Sequence, residues 1–172
     1  LIGYETRMLN REDFNNDKVD AGDIGAGTSV TAIYEVTPAG SDGAAIDPLR
    51  YGEAAKAGSS KGEYAFVKLR YKAPGANDST LMTHAVTDKD RSKSAESAPE
   101  WARFATAVAG FGEMLKGGDA LGAGFGWEAI RNLGLGAKGE DEFGYRAEFI
   151  ELTRLAETAE AQAALTSPGK GE

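Results

Sequence analysis

The residues best suited to chemistry begin with an acidic segment near the start of the chain. Oxygen-bearing side chains recur there at short intervals: Asp13, Asn15, Asp17 and Asp20. Calcium-binding loops open with this spacing, but they also need glycine at the sixth position and glutamate at the twelfth. Lys18 and Ile24 occupy those two positions. We therefore expect a solvated acidic loop, and a cation-binding module built on these four residues is the alternative.

A second candidate is a basic stripe on a predicted strand. Lys68, Arg70 and Lys72 alternate, so their side chains point to one face of that strand. Residues 61–93 contain seven basic and four acidic residues, a local charge of +3 in a chain whose net charge is −8. A basic sheet face in an acidic protein suits an acidic partner surface. We predict that these three residues bind a partner, although many such stripes are only solvated.

Catalytic candidates are few. The chain has no cysteine, and His84 is its only histidine. A general base needs an oriented partner and a nucleophile or water, and no such motif stands beside His84. The glycines of 22–27 and 117–126 do not lie between a strand and a helix, as a phosphate-binding loop requires. We expect no enzyme and no cofactor, and an enzyme with an unrecognised site is a further alternative.

Charge and hydropathy narrow the partner class. A net charge of −8 opposes nonspecific nucleic-acid binding, which needs a basic surface. No run of 18 apolar residues exists, so no transmembrane helix and no direct membrane insertion are expected. Among macromolecules, these properties favour a protein partner.

The first half of the chain has the pattern of β-strands. Apolar residues alternate with polar ones over 63–72 and 80–86, which a turn near 74–78 joins into a hairpin. The same alternation predicts strands over 1–8 and 28–37. Residues 39–62 are rich in glycine, alanine and serine, which predicts a long loop with a helical turn near 51–56. The chain opens directly in a strand pattern, so we expect it to belong to a longer polypeptide.

The second half has a helical period. Residues 87–96 form a charged linker, after which Ser97 and Glu100 have the spacing of a capping box and Pro99 suits a first turn. Apolar residues then recur at helical spacing until Gly117. A short helix is predicted at 127–133, and a last one at about 142–164 with Asp141 as its cap. Residues 166–172 read as a frayed tail.

Strands followed by helices predict an α+β fold. We expect an N-terminal antiparallel β-layer of about four strands over 1–86 and a helical portion over 97–165, packed as one compact domain. The helical portion should contain two longer helices and one short helix. Its aromatic residues have the spacing of a core, and lining a ligand pocket is the alternative; they are Trp101, Phe104, Phe111, Trp127, Phe143, Tyr145 and Phe149.

Several segments, in order along nearly the whole chain, resemble one family. They are residues 1–7 (LIGYETR), 13–15 (DFN), 20–27 (DAGDIGAG), 30–35 (VTAIYE), 139–141 (GED) and 143–149 (FGYRAEF). Together they resemble the uncharacterised C-terminal domain of bacterial von Willebrand factor type A proteins, which are often lipoproteins.

The resemblance implies a location and a partner but no reaction. Such a domain follows a type A domain, whose metal site has an Asp-x-Ser-x-Ser signature. The present chain lacks that signature, so no metal ligands carry over. The resemblance implies a periplasmic or envelope location through an upstream lipid anchor. Because the predicted sheet is thin and the chain opens inside a strand pattern, we also expect a non-catalytic accessory domain whose β-layer docks to the upstream type A domain, or to another envelope protein.

Overall fold

The structure is a computed structural model that describes residues 1–3, 8–37, 62–117, 122 and 124–166. These residues divide into two compact units. One is a hairpin unit, formed by the described residues of 4–30 and 34–91. The other is a helical unit, formed by 1–3, 31–33 and the described residues from 92 onward. The division near residue 92 falls inside the segment that the sequence predicts as a linker.

The hairpin unit is built on two antiparallel strands, β1 (Glu63–Tyr71) and β2 (Thr80–Thr87). Their register pairs Val67 with His84 and Leu69 with Met82. A bulge between Glu63 and Ala65 interrupts the pairing at the open end. These are the two strands for which the sequence predicted a hairpin, and the alternation of their side chains explains the pairing.

The expectation of four strands is not met. Residues 28–37 and residue 8 form no strand, nor do residues 1–3, while 4–7 lie outside the described residues. Among the described residues of the two segments, one backbone hydrogen bond joins them, from Ile2 N to Ile33 O at 2.8 Å. A strand needs a series of backbone hydrogen bonds to a neighbouring strand. Within the described ranges these two segments do not form such a series. The predicted helical turn at 51–56 lies outside the described residues. The α+β class itself is confirmed, since the described residues form a two-stranded sheet and three α-helices.

The first helix, α1 (Glu100–Leu115), starts without the predicted capping box. Pro99 is its N-cap and contributes no side-chain hydrogen bond. The Ser97 side chain instead forms hydrogen bonds within the preceding turn. Its Oγ donates to Ser94 O at 2.9 Å and accepts from Ser94 N at 3.0 Å. Glu100 pairs with Arg146 at 3.0 Å. The prediction was wrong because both side chains have better partners than the helix end.

The other two helices are α2 (Trp127–Gly136) and α3 (Tyr145–Thr166). Asp141 caps α3 as predicted, since its Oδ1 accepts from Arg146 N at 3.0 Å and its Oδ2 from Ala147 N at 2.8 Å. The helix begins three residues later than expected because the segment before it forms a turn, closed by a 2.9 Å hydrogen bond from Gly144 N to Asp141 O. Asp141 itself has a φ of +46°.

The core lies between the three helices. Its centre is Ala107 of α1, Ile130 and Leu133 of α2 and Ile150 of α3. Aromatic rings pack around them edge to face: Phe104 with Phe149 at 5.4 Å, Phe111 with Phe149 at 5.5 Å and Phe111 with Trp127 at 5.9 Å between centroids. The prediction that the seven aromatic residues form a core holds for four of them. The other three are exposed: Trp101, Phe143 and Tyr145.

Candidate docking surface on the hairpin

One face of the hairpin is apolar and open. Strand alternation and the register place four cross-strand pairs on this face, which we call the apolar face: Ala65 with Val86, Val67 with His84, Leu69 with Met82 and Tyr71 with Thr80. Val67, Leu69 and Met82 are each about half exposed, at 49%, 52% and 55%. Cross-strand apolar pairs stabilise a sheet when something covers them, and among the described residues this face is left uncovered.

The opposite face carries the predicted basic stripe, and we call it the basic face. Lys68 and Arg70 of β1 lie here, with Thr83 and Leu81 as their cross-strand neighbours. Lys68 Nζ lies 6.0 Å from the ring centroid of Phe66, an arrangement that suits a cation–π contact. Lys72 follows the end of β1, next to the turn.

The acidic loop reaches this basic face through one residue. Asp17 O accepts a hydrogen bond from Lys72 Nζ at 2.6 Å, and Asp17 Oδ2 accepts from Ser79 N at 3.2 Å. The Ser79 hydroxyl donates to Asp17 Oδ1. Arg70 Nη1 lies 3.9 Å from the same oxygen and donates to Ser79 Oγ at 2.5 Å. The two sites that the sequence predicted separately therefore meet, and partly neutralise each other, in this Asp17 contact.

These contacts keep Asp17 ionised. Hydrogen bonds from the hydroxyl and the backbone N–H of Ser79 are the main reason that the pKa of Asp17 lies below its ordinary value of 3.8. The charges of Lys72 and Arg70 lower this pKa further. The contacts that join Asp17 to the hairpin therefore favour the charged form of its carboxylate.

The other residues of the acidic loop stay local. Asp13 Oδ2 accepts from Asn10 Nδ2 at 3.4 Å, and Asp20 Oδ1 accepts from Ala21 N at 3.1 Å. Asn15 ends a 3₁₀ helix over Arg11–Asn15. Within the described residues no three His, Cys, Asp or Glu side chains converge as a metal site would require. The cation-binding alternative gains no support from this geometry.

His84 has a carboxylate neighbour but no reacting group. Its Nε2 lies 3.1 Å from Asp90 Oδ1, and 63% of the histidine side chain is exposed. Asp90 Oδ2 accepts from Thr87 N at 2.8 Å, which is the main reason that the pKa of Asp90 is lowered. That carboxylate forms a capping box with Thr87 at the end of β2. The pair therefore shapes the turn after the strand.

A cleft of about 690 Å³ opens in the helical unit at the start of α2. Its lining includes Phe125, Trp127 and Leu133 together with Arg103 and the carboxylates of Glu96 and Glu128. The pKa of Glu96 is lowered, mainly by a hydrogen bond from its own backbone N–H and then by Ser94. A carboxyl group that acts as a general acid needs a raised pKa instead, and Glu96 has the opposite shift.

Sequence reasoning missed Ser79. It lies next to the predicted turn and gives Asp17 both of its side-chain hydrogen bonds. The two residues are 62 positions apart. Hydroxyl residues are common in turns for local reasons, so the sequence pattern holds no signal for this contact.

Comparison with known proteins places the chain in a family. The family described as "Uncharacterized protein YfbK, C-terminal" matches residues 1–159. The "Uncharacterized protein YfbK" of Escherichia coli (strain K12) is 43% identical over 159 residues, which are 91% of this chain. The chain spans 26% of the length of that relative. No solved structure matches. Within the described ranges, every helix is too short or too polar to cross a lipid bilayer. By the extent of these matches, the chain belongs to the family of uncharacterised YfbK C-terminal domains.

Proposed function

We propose that this chain is a non-catalytic docking domain whose hairpin packs against another part of a longer polypeptide. The observation that carries the proposal is the distribution of buried residues. Every residue of the described chain that is buried lies between 107 and 153, in the helical unit. The hairpin unit has none, although its strands carry large apolar side chains on the apolar face.

A two-stranded hairpin is marginal in water unless a third strand, a helix or another domain covers it. The relative from Escherichia coli is almost four times as long as the matched region. Such a polypeptide has ample chain to cover the apolar face. Burying one leucine or valine side chain contributes about 1.5–3 kcal/mol, so covering three or four residues supports a stable contact.

The nature of the covering partner follows from the sequence resemblance. We propose that it is a von Willebrand factor type A domain upstream in the same polypeptide. In this proposal the whole protein acts at the bacterial cell envelope, anchored by a lipid on an upstream segment. The domain then acts as a scaffold for its neighbour and not as an enzyme.

The test is an association measurement between this chain and the remaining part of its longer polypeptide, expressed separately. We expect tight binding, and we expect Leu69→Glu on the apolar face to weaken it at least about tenfold, because a charge cannot be buried there without loss. Ala161→Glu is the matched control in the helical unit, where it adds the same charge at an exposed helical position that belongs to neither face of the hairpin. Absence of binding by the wild type, or equal effects of both variants, would show that the apolar face does not dock.

A further inference from the structure

We propose that the basic face of the hairpin receives an acidic segment of a partner protein, and that Asp17 occupies this place in the unbound chain. This inference rests on the docking role proposed above. It adds a second contact, between the basic face and an acidic segment, and it identifies Asp17 as the group within the chain that competes for that face. The three cationic residues involved are those that the sequence predicted for partner binding, Lys68, Arg70 and Lys72.

The loop is attached to the hairpin at one point. Among the described residues of 8–30, every hydrogen bond or ion pair to the strands or their turn runs through Asp17. The remaining hydrogen bonds of this segment join residues at most three positions apart. Displacing Asp17 would therefore break no other hydrogen bond or ion pair between the described part of this loop and the hairpin.

The contact leaves Arg70 incompletely satisfied. Its Nε is shielded from solvent and has no hydrogen-bond partner, and its Nη1 lies 3.9 Å from Asp17 Oδ1, too far for a hydrogen bond. A carboxylate that meets the edge of a guanidinium group accepts two parallel hydrogen bonds, from Nε and Nη. Asp17 does not reach that geometry. A carboxylate on a free segment is not restrained by the loop and can reach it.

Charge complementarity defines the class of partner. Residues 61–93 have a net charge of +3, while the whole chain has −8. Lys68 has no carboxylate partner among the described residues and remains exposed. Lys68 is free to pair with a carboxylate, and Arg70 and Lys72 become free when Asp17 leaves. Three neighbouring cations favour a partner segment with several adjacent Asp or Glu residues. The acidic remainder of the chain would repel a long polyanion such as nucleic acid.

The experiment uses a twelve-residue peptide of alternating glutamate and serine, titrated at low salt into four versions of this chain: the wild type, Asp17→Asn, Asp13→Asn and Arg70→Gln. Asp17→Asn weakens the competitor, and Asp13→Asn removes the same charge from the same loop without touching the hairpin. We expect Asp17→Asn to bind the peptide at least about threefold more tightly than Asp13→Asn, because less of the chain is held in the occupied state. Arg70→Gln should bind it at least about tenfold more weakly than the wild type.

A second readout follows the displacement directly. The amide of Ser79 donates to Asp17 in the unbound chain, so its hydrogen exchange should quicken when the peptide binds the wild type. The proposal is overturned if Ser79 exchange is unchanged on binding, if the two aspartate variants bind equally, or if no version binds. It is also overturned if an oligothymidylate of equal charge binds as well as the peptide, since that would show a general polyanion surface.

The two proposals can fail separately. Leu69→Gln changes the apolar face without adding a charge beside Lys68 and Arg70, so it should leave peptide binding to the basic face within about twofold of the wild type. Loss of association with the remaining polypeptide in that variant, with peptide binding retained, would support both proposals. Loss of peptide binding in the same variant would show that the two faces do not act independently and would overturn the acidic-segment proposal.

Discussion

Arg146 joins the ends of three helices. Its Nη1 donates to Glu100 Oε1 at 3.0 Å and to the carbonyls of Ala137 and Lys138 at 2.8 and 3.3 Å. Its guanidinium carbon lies 4.6 Å from the ring centroid of Phe104. One planar cation thus satisfies the carbonyl end of α2 and the carboxylate at the start of α1, while stacking on the core.

Replacing Arg146 should therefore cost more than an ordinary surface change. We expect Arg146→Met to lower the free energy of unfolding by about 1–3 kcal/mol, because two helix-end carbonyls and a carboxylate lose their donor. Arg154 provides the matched control. Within the described part of the chain its ion pair is with Glu151, and its side chain is 55% exposed, so Arg154→Met should cost under about 0.5 kcal/mol. Urea unfolding of both variants measures the contrast, and equal losses would contradict the role of Arg146.

The cap of α3 at Asp141 predicts how the stability of the fold depends on pH. The N–H of Arg146, followed by that of Ala147, lowers the pKa of Asp141 below its ordinary value of 3.8. A lowered pKa means that the carboxylate stabilises the folded state above pH 3.8, and that this contribution is lost as the pH falls through the folded-state pKa.

We therefore expect Asp141→Asn to be less stable than the wild type at neutral pH, with a difference that shrinks below pH 3.8. Asparagine keeps one acceptor and tolerates the positive φ, so the variant should still fold. Urea unfolding at several pH values measures the difference. A difference that persists unchanged into acid would show that the negative charge of Asp141 does not provide the stabilisation.

Among the elements, α1 packs closely on α2 at Gly110. A Cβ atom on Gly110 would lie 2.6 Å from Phe125 Cε1 and 3.1 Å from Ile130 Cγ1. Ile130 is fully buried and cannot retreat into solvent. Gly112, two residues further along the helix, has open space where its Cβ would stand.

The two glycines should respond in opposite directions to the same substitution. Gly110→Ala should lower the free energy of unfolding by about 1–3 kcal/mol, because the added methyl group overpacks the interface of the helices. Gly112→Ala should raise it by about 0.5–1 kcal/mol, because alanine favours a helix over glycine. Thermal unfolding of both variants checks the pair. A stabilised Gly110→Ala would mean that α1 and α2 lie further apart than described.

At the scale of the whole molecule, the two units differ in what holds them. The helical unit has a core of its own, while the hairpin unit contains no buried residue among those described. Amide exchange in a marginal hairpin reports local opening, which needs less free energy than opening of a packed core.

We expect amides of β1 and β2 to exchange much faster than those around Ile130 and Ile150 when this chain is alone. Addition of the remaining polypeptide should slow exchange in the strands and leave the helical core unchanged. Mass spectrometry of peptic fragments measures both regions in one sample. Strands that are protected as well as the helical core in the isolated chain would contradict the open apolar face, and with it the main support for docking.

The sequence alone determined the elements whose partners are close along the chain. The hairpin, the three helices and the cap at Asp141 follow from local alternation, helical period and cap chemistry, all set within a few residues. Membership of the family also follows from the sequence, through residues 1–159. The predicted capping box of Ser97 and Glu100 was wrong because other residues bind both side chains. Ser97 bonds to Ser94 and Glu100 pairs with Arg146, and the motif includes neither contact.

Only the tertiary structure decided which long-range contacts form. The strand pattern of 28–37 has no ladder because pairing depends on a neighbour, and within the described residues none is supplied. Asp17 meets Ser79 across 62 positions, so the acidic loop and the basic strand are one contact and not two sites. A contact between residues so far apart in the chain produces no periodic pattern in the sequence. Such contacts also determine which charged side chains are free to bind a partner.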